Sequence, residues 1–143
     1  AAADHYMESL AIAALDQQVR LQLINYVAMA ELRLDENRLD EARTYCDNAD
    51  EICSEIEGDH HDCGMMYLVR GKVEQRAAHQ DEDDCLLKDA LVYFEQARQH
   101  LTNSQARTTL SQLYGHMAEV YEELGQSDEA LVHWKQAFAA RSA

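Results

Sequence analysis

The residues with the clearest potential for metal chemistry lie in one short segment, residues 59–63 (DHHDC), with Cys53 nearby along the chain. Histidine, cysteine and aspartate are the side chains that bind zinc in proteins. The segment lacks a paired ligand spacing such as Cys-x2-Cys, which structural zinc sites use. We therefore predict a polar loop that carries two histidines, with no metal ion and no other cofactor.

Signals for catalysis are weaker than the signal for metal binding. The acidic run at residues 81–84 (DEDD) has neither the alternating ligands nor the central glycine of a calcium loop, so a solvated charged surface is the simpler interpretation. His116 and Glu119 lie one helical turn apart, which is more typical of a recognition surface or an ion pair than of an acid–base pair. No phosphate-binding glycine loop or HExxH motif is present. We predict that the protein is not an enzyme.

The four cysteines are Cys46, Cys53, Cys63 and Cys85. Cys46 and Cys53 are spaced to lie two turns apart on one helix face, and both are interpreted as small buried hydrophobic residues. The chain is of a helical type that is typical of intracellular proteins, and we expect a cytoplasmic protein. Because disulfides are rare in that compartment, we expect none here.

The charge of the chain restricts its partners. Twelve Lys and Arg residues stand against 27 Asp and Glu residues, which gives a formal net charge of −15. Such a surface repels phosphate backbones, so we predict no nucleic-acid binding. No apolar run approaches the roughly 18 residues of a membrane helix, and we predict no membrane association. The acidic surface is either a solvated face or an attractor for a basic partner segment.

The composition is that of a helical protein. The chain has no proline and five glycines, and it is rich in Ala, Leu, Glu, Gln and Arg, which favour helices. Apolar residues recur at helical spacing, as in Leu23, Tyr26, Val27, Ala30 and Leu34, so each helix should bury one face. We predict an all-α fold of about seven helices, at residues 2–14, 17–36, 38–57, 63–80, 83–101, 104–124 and 127–141.

The last third of the chain carries an ordered series of large and small residues: Tyr114, Met117, Ala118, Tyr121, Gly125, Ala130, Trp134 and Ala137. This series resembles the tetratricopeptide repeat (TPR), in which small residues of one helix accept large residues of its partner. Two further copies lie upstream, with Tyr26, Met29, Ala30, Ala42, Cys46 and Ala49 in the first, and Tyr67, Arg70, Gly71, Ala90, Phe94 and Ala97 in the second. The resemblance implies a right-handed superhelical array of antiparallel helix pairs.

The repeat is longer than a standard TPR. Equivalent residues lie about 40 to 48 positions apart, against roughly 34 in the standard repeat, and HEAT or armadillo units share the longer period. The TPR interpretation is preferred because the small-x3-aromatic-x2-small pattern accounts for close crossing of paired helices. The long period resembles the elongated repeats of bacterial signalling and transcription-regulator proteins. Arg70 and Glu74 depart from the family, which usually has Leu and Tyr at these positions.

The repeats predict one domain over residues 1–143. It comprises a half repeat at 1–18, in which Ala2, Tyr6 and Ser9 match the last helix of the series, and repeats at about 19–57, 62–101 and 104–143. Terminal repeats usually need a polar outer face. Because neither end of the series carries one, we expect a piece of a longer protein, or a homo-oligomer formed through the open repeat ends.

The resemblance also implies a binding surface. In the family, the first helices of successive repeats line a concave groove that holds an extended peptide or a partner helix. The corresponding residues here are Val27, Glu31, Leu34, Asp35, Leu68, Lys72, Gln75, Arg76, Gly115, His116, Glu119, Glu122 and Glu123. Lys72 and Arg76, at i and i+4, form a basic patch between acidic flanks. The repeated Lys and Asn pattern of the carboxylate-clamp repeats is absent, which disfavours binding of chaperone C-termini.

These observations predict a non-enzymatic module that binds a protein or peptide, as the sensory or scaffolding region of a bacterial regulator. The alternative is a structural helical-repeat segment of a larger multidomain enzyme or ATPase-type regulator. A DNA-binding or nucleotide-binding domain elsewhere in the parent sequence would distinguish the two.

Overall fold

The structure is a computed structural model that describes residues 2–56, 58, 60–102 and 107–142, with side chains from residue 16 to residue 141 within those ranges. The described residues form helices and connecting turns without a strand, which confirms the all-α prediction for this part of the chain. The helices are α1 (Ala2–Asp35), α2 (Leu39–Ser54), α3 (His61–Asp81), α4 (Asp84–Leu101), α5 (Arg107–Glu123) and α6 (Ser127–Ser142).

The first helix corrects the predicted helix count. Residues 2–14 and 17–36 were expected to form two helices, but α1 is continuous over 34 residues. Leu15 and Asp16, at the expected break, are followed by Gln17 and Gln18, and neither Gly nor Pro interrupts the run. The described residues therefore form six helices rather than seven. The side-chain packing predicted for the half repeat lies outside the described side chains.

The acidic run at residues 81–84 marks a helix boundary. Helix α3 ends at Asp81, and Glu82 then adopts a left-handed conformation with φ of 51°. Asp83 follows as the N-cap of α4, where its carboxylate accepts a hydrogen bond of 2.9 Å from the backbone N–H of Cys85. An acidic side chain is favourable there because the first N–H groups of a helix have no partner within it.

The helices pack as a series of hairpins. Helix α3 contacts α1 and α5 on either side, while α2 packs against both α1 and α3, and α4 packs against both α3 and α5. Helix α6 packs against α5. One core cluster joins α1, α2 and α3, and a second joins α3, α4 and α5. Since α3 contributes to both clusters, its side chains link the two halves of the molecule.

Small residues allow the paired helices to cross closely. Ala42, Ala90 and Ala130 are all buried, as the repeat pattern requires. Gly71 in α3 lies directly against Phe94 in α4, and a Cβ atom at this position would overlap the phenyl ring. The side chain of Phe94 is fully buried, so the ring has little room to move.

Replacing Gly71 with alanine is expected to destabilise the protein by about 1 to 3 kcal/mol, because the added methyl group overlaps Phe94. The matched control is Gly115→Ala in α5, where the added Cβ would lie 3.6 Å from Trp134, an ordinary contact. That substitution should stabilise the protein by up to about 1 kcal/mol through helix propensity. Urea denaturation followed by circular dichroism measures both values. Equal effects of the two substitutions would contradict the close crossing of α3 and α4.

A buried ion cluster joins α2 to α3. The carboxylate of Glu74 is almost fully buried and accepts hydrogen bonds from Arg43 of α2, at 2.8 Å from Nε and 3.0 Å from Nη2. Arg70 donates to the same carboxylate at 3.3 Å and to Asp47 of α2 at 2.6 Å. The hydrogen bond to Glu74 raises the pKa of Arg43. Arg70 and Glu74, which depart from the TPR pattern, therefore form a polar contact at a position where the family usually packs apolar side chains.

The substitution Glu74→Gln should lower the free energy of unfolding by about 3 kcal/mol, because two partly buried arginines lose the carboxylate that compensates their charge. Asp40→Asn is the matched control, since Asp40 also pairs with Arg43, at 3.3 Å, but is 99% exposed. Its effect should stay below about 1 kcal/mol. Thermal and urea unfolding at low and high salt measure both, and the Glu74 effect should persist at high salt. A Glu74→Gln variant as stable as the parent would show that the cluster contributes no net stability.

Candidate functional site

A surface pocket of about 190 Å³ lies between α3 and α5. Its lining residues are Lys72, Gln75, Arg76 and His79 from α3 and His116 and Glu119 from α5. All four α3 residues follow helical spacing, so they share one face of that helix. The pocket is polar and carries two permanent positive charges in a protein of net charge −15.

The predicted groove residues fall into three groups. Lys72, Gln75, Arg76, His116 and Glu119 line the pocket. Buried positions in the core are occupied by Val27, Leu34 and Leu68. The remaining residues are exposed or half-buried and do not line the pocket: Glu31, Asp35, Gly115, Glu122 and Glu123.

Glu122 and Glu123, at the end of α5, already have partners on neighbouring helices. The carboxylate of Glu122 accepts a hydrogen bond of 2.7 Å from Nε1 of Trp134, which directs it toward α6. Glu123 lies 2.6 Å from Nε2 of His79. His79 was not among the groove residues predicted from the sequence, although its position seven residues after Lys72 places it on the same helix face.

Polar contacts hold α5 against α3 at the edge of the pocket. Gln75 is buried and donates a hydrogen bond of 3.2 Å from Nε2 to the carboxylate of Glu119. The contact between His79 and Glu123 lies one turn further along both helices. These two pairs fix the distance between the helices, and so they set the width of the pocket.

The two cations of the pocket differ in their surroundings. Arg76 donates a hydrogen bond of 3.1 Å from Nη1 to the backbone carbonyl of Leu34, in the last turn of α1. A positive charge is favourable at a helix C-terminus, so Arg76 also connects α3 to α1. Lys72 forms no ion pair with any residue that the structure describes. Its charge is therefore available to a ligand.

His116 is the most unusual group in the pocket. Its ring stacks on Phe94, with ring centres 5.8 Å apart and planes at 13°. Its Nδ1 atom is buried without a hydrogen-bond partner among the described residues, and the nearest carboxylate oxygen, from Glu119, is 3.8 Å away. Burial lowers the pKa of His116, and Lys72 lowers it further, whereas Glu119 raises it. A lowered pKa favours the neutral imidazole, and Nδ1 is a buried polar atom that the described residues leave without a hydrogen bond.

The segment at residues 59–63 forms the start of α3. The side chain of His60 is the N-cap and accepts a hydrogen bond of 3.2 Å from the N–H of Asp62. The backbone N–H of His60 donates to Nδ1 of His100 at 2.9 Å. Asp59 lies outside the described residues. Among those described, no group of three or more His, Cys, Asp and Glu side chains is placed to hold a metal ion.

Cys53 and Cys63 form a disulfide, which contradicts the expectation of none. The short connection from α2 to α3 brings the last turn of one helix beside the first turn of the next, and the two Cα atoms are 5.8 Å apart. Both cysteines belong to the α1–α2–α3 core cluster. The spacing of the cysteines in the sequence did not predict that the face of α2 with Cys53 would meet the face of α3 with Cys63.

Comparisons with known proteins identify no relative. No protein-family model, curated protein or solved structure matches the chain. Within the described residues, every helix is too short or too polar to cross a membrane.

An NMR titration of His116 should give a pKa below the usual 6.5, because burial disfavours the imidazolium ion. Removing the nearby cation with Lys72→Met should raise this pKa, and Glu119→Gln should lower it further. Lys88→Met is the matched control, since Lys88 of α4 is exposed and does not line the pocket. An unchanged pKa in Lys72→Met would contradict the placement of Lys72 beside the ring.

The same group predicts a pH dependence of stability. A folded-state pKa that is lowered means that the unfolded chain binds the proton more tightly, so the free energy of unfolding should fall as the pH drops below about 6.5. His116→Asn should show less of this fall, which urea denaturation at several pH values would measure.

Proposed function

We propose that this protein is a TPR-like binding module that holds a peptide segment of a partner protein along the surface of α1, α3 and α5. The pocket between α3 and α5 accepts an acidic side chain of that segment. The observation that carries this proposal is the convergence of Lys72, Arg76 and His116 in one pocket. The module acts by binding and performs no chemistry.

The packing of the helices supports a TPR-like module. Helix α2 packs against both α1 and α3, and α4 packs against both α3 and α5, so each lies between the first helices of two successive pairs. Gly71 of α3 accepts Phe94 of α4 where the two helices of a pair cross. This order leaves α1, α3 and α5 side by side, as a groove formed by first helices requires. It also leaves the polar face of α3, with Lys72 and Arg76, at the centre of that surface.

The electrostatics of the pocket support an acidic ligand group. Lys72 has no ion pair within the described residues, and a carboxylate that bonds to an ammonium or a guanidinium forms charge-assisted hydrogen bonds. Acidic residues lie on either side of the pocket: Glu31 and Asp35 on α1, and Glu119 and Glu123 on α5. The expected partner segment therefore carries an acidic residue with basic residues before and after it. Basic flanks also suit the net charge of −15.

The biological setting follows from the resemblance in the sequence. Elongated repeats of this kind suggest the sensory or scaffolding region of a bacterial regulator, in which peptide binding changes the state of another domain.

Selection of binding peptides tests the proposal. A random dodecapeptide phage library is panned on the wild-type protein, and the enriched peptides are synthesised and titrated by fluorescence anisotropy. We expect enriched peptides with an acidic residue between basic residues. Lys72→Glu should weaken their binding by at least about tenfold, because the charge pair is lost and a repulsion is introduced. The double variant Lys72→Glu with Arg76→Glu should weaken it further.

The control is Lys88→Glu, which makes the same change of charge on the outer side of α4. It should leave affinity within about twofold at moderate salt, since exposed charges at a distance are screened. Circular dichroism and thermal unfolding should be nearly unchanged in both single variants. Enriched peptides that bind Lys72→Glu as tightly as the wild type would refute the role of the pocket.

A further inference from the structure

Two apolar surfaces at opposite ends of the helix series are exposed, although Trp134 in the second donates a hydrogen bond to Glu122 of α5. The α1 face comprises Leu21, Ile24 and Leu32, and the α6 face comprises Leu131, Trp134 and Phe138; all six are exposed. Phe138 is the extreme case, with 73% of its surface accessible. Exposed apolar clusters of this kind usually mark interaction surfaces.

The repeat pattern identifies what the α1 face is built to contact. Leu32 stands two residues after Ala30, as Val73 stands after Gly71 and Val120 after Ala118. Val73 is fully buried in the cluster that α3 shares with α1 and α2, and Val120 is fully buried in the cluster that α5 shares with α3 and α4. Leu32 is 47% exposed. Leu32 of the α1 face therefore occupies the position at which α3 and α5 pack on the hairpin that precedes each of them.

The α6 face corresponds to the other side of this contact, which the second helix of a hairpin contributes. Leu131 follows Ala130 as Arg43 follows Ala42, and Arg43 binds Glu74 on the next first helix. Phe138 stands eight residues after Ala130, as Asp50 stands after Ala42. Asp50 accepts a hydrogen bond of 3.1 Å from Tyr67 of α3. The α6 face thus corresponds to the side of α2 that contacts α3.

We propose that the α6 face of one copy packs on the α1 face of a second copy, in a head-to-tail contact that continues the internal series of hairpins. This inference does not require the peptide pocket, although Glu31 and Asp35 border both surfaces. The two faces correspond to the two sides of an interface that the chain already forms between α2 and α3 and between α4 and α5.

The charges around the faces disfavour a symmetric pairing of two α1 faces. Carboxylates predominate along the α1 face: Asp16, Glu31 and Asp35 against Arg20. The α6 face is balanced, with Lys135 and Arg141 against Asp128 and against Glu122, which accepts a hydrogen bond from Trp134. Two α1 faces would bring like charges together, whereas α1 with α6 brings the α1 carboxylates near Lys135 and Arg141. The overall charge of −15 opposes association of any two copies, so salt should strengthen the contact by screening that repulsion.

Sedimentation velocity over a range of protein and salt concentrations tests the contact. The wild type should associate increasingly as protein and salt concentrations rise, and a contact of two different faces can extend beyond a dimer. Leu32→Asp on the α1 face and Phe138→Asp on the α6 face should each weaken self-association by at least about tenfold, because each buries a charge in the apolar contact. Val92→Asp is the matched control, since Val92 is an exposed apolar residue of α4 outside both faces.

An equimolar mixture of Leu32→Asp and Phe138→Asp provides the decisive measurement. Each variant keeps one intact face, and the two intact faces are complementary, so the mixture should form a heterodimer that does not grow further. Thermal unfolding verifies that both variants are folded. A wild type that stays monomeric throughout would overturn the proposal, as would a mixture that fails to associate. Full self-association of either variant alone would indicate a symmetric contact and would also overturn it.

Discussion

The carboxylate of Glu74 is the group on which the junction between the first two hairpins depends. It lies buried between α2 and α3 and accepts hydrogen bonds from Arg43 and Arg70. A buried carboxylate is costly unless its charge and its hydrogen-bonding capacity are satisfied, and two guanidinium groups satisfy both. The geometry of these planar groups is narrowly defined, so the cluster fixes the rotation of α3 about its axis. That rotation decides which face of α3 reaches the surface.

The pocket follows from this orientation of α3. With Arg70 and Glu74 directed at α2, the next residues around the helix, Lys72 and Arg76, face the surface between α3 and its neighbours. Arg76 contacts the end of α1, and Gln75 contacts α5 through Glu119. The disulfide further restrains the same α2–α3 connection. One helix therefore carries the junction, the pocket and both core clusters, and a change in its orientation would alter all of them.

Part of the candidate site was implied by the resemblance to the TPR groove, in which first helices of successive repeats share one surface. Lys72, Gln75 and Arg76 of α3 and His116 and Glu119 of α5 were assigned to that groove, and all five line the pocket. Val27, Leu34 and Leu68 were assigned to the groove by the same rule, but they are buried. A periodic pattern defines the angle of a residue on its own helix, whereas the depth of burial depends on how closely the neighbouring helices approach.

The sequence by itself determined the helical class, most helix boundaries and the small residues at the crossings, because these depend on local propensity and on periodicity. It did not determine that α1 would be continuous. The repeat pattern suggested a turn near Leu15 and Asp16, whereas no helix-breaking residue is present there. Contacts between residues far apart in the chain were decided only by the tertiary structure: the pairing of Cys53 with Cys63, the capture of Glu74 by Arg43, and the stacking of His116 on Phe94. Each needs two helices to meet at a particular distance and rotation, and that information resides in the packing of the whole core.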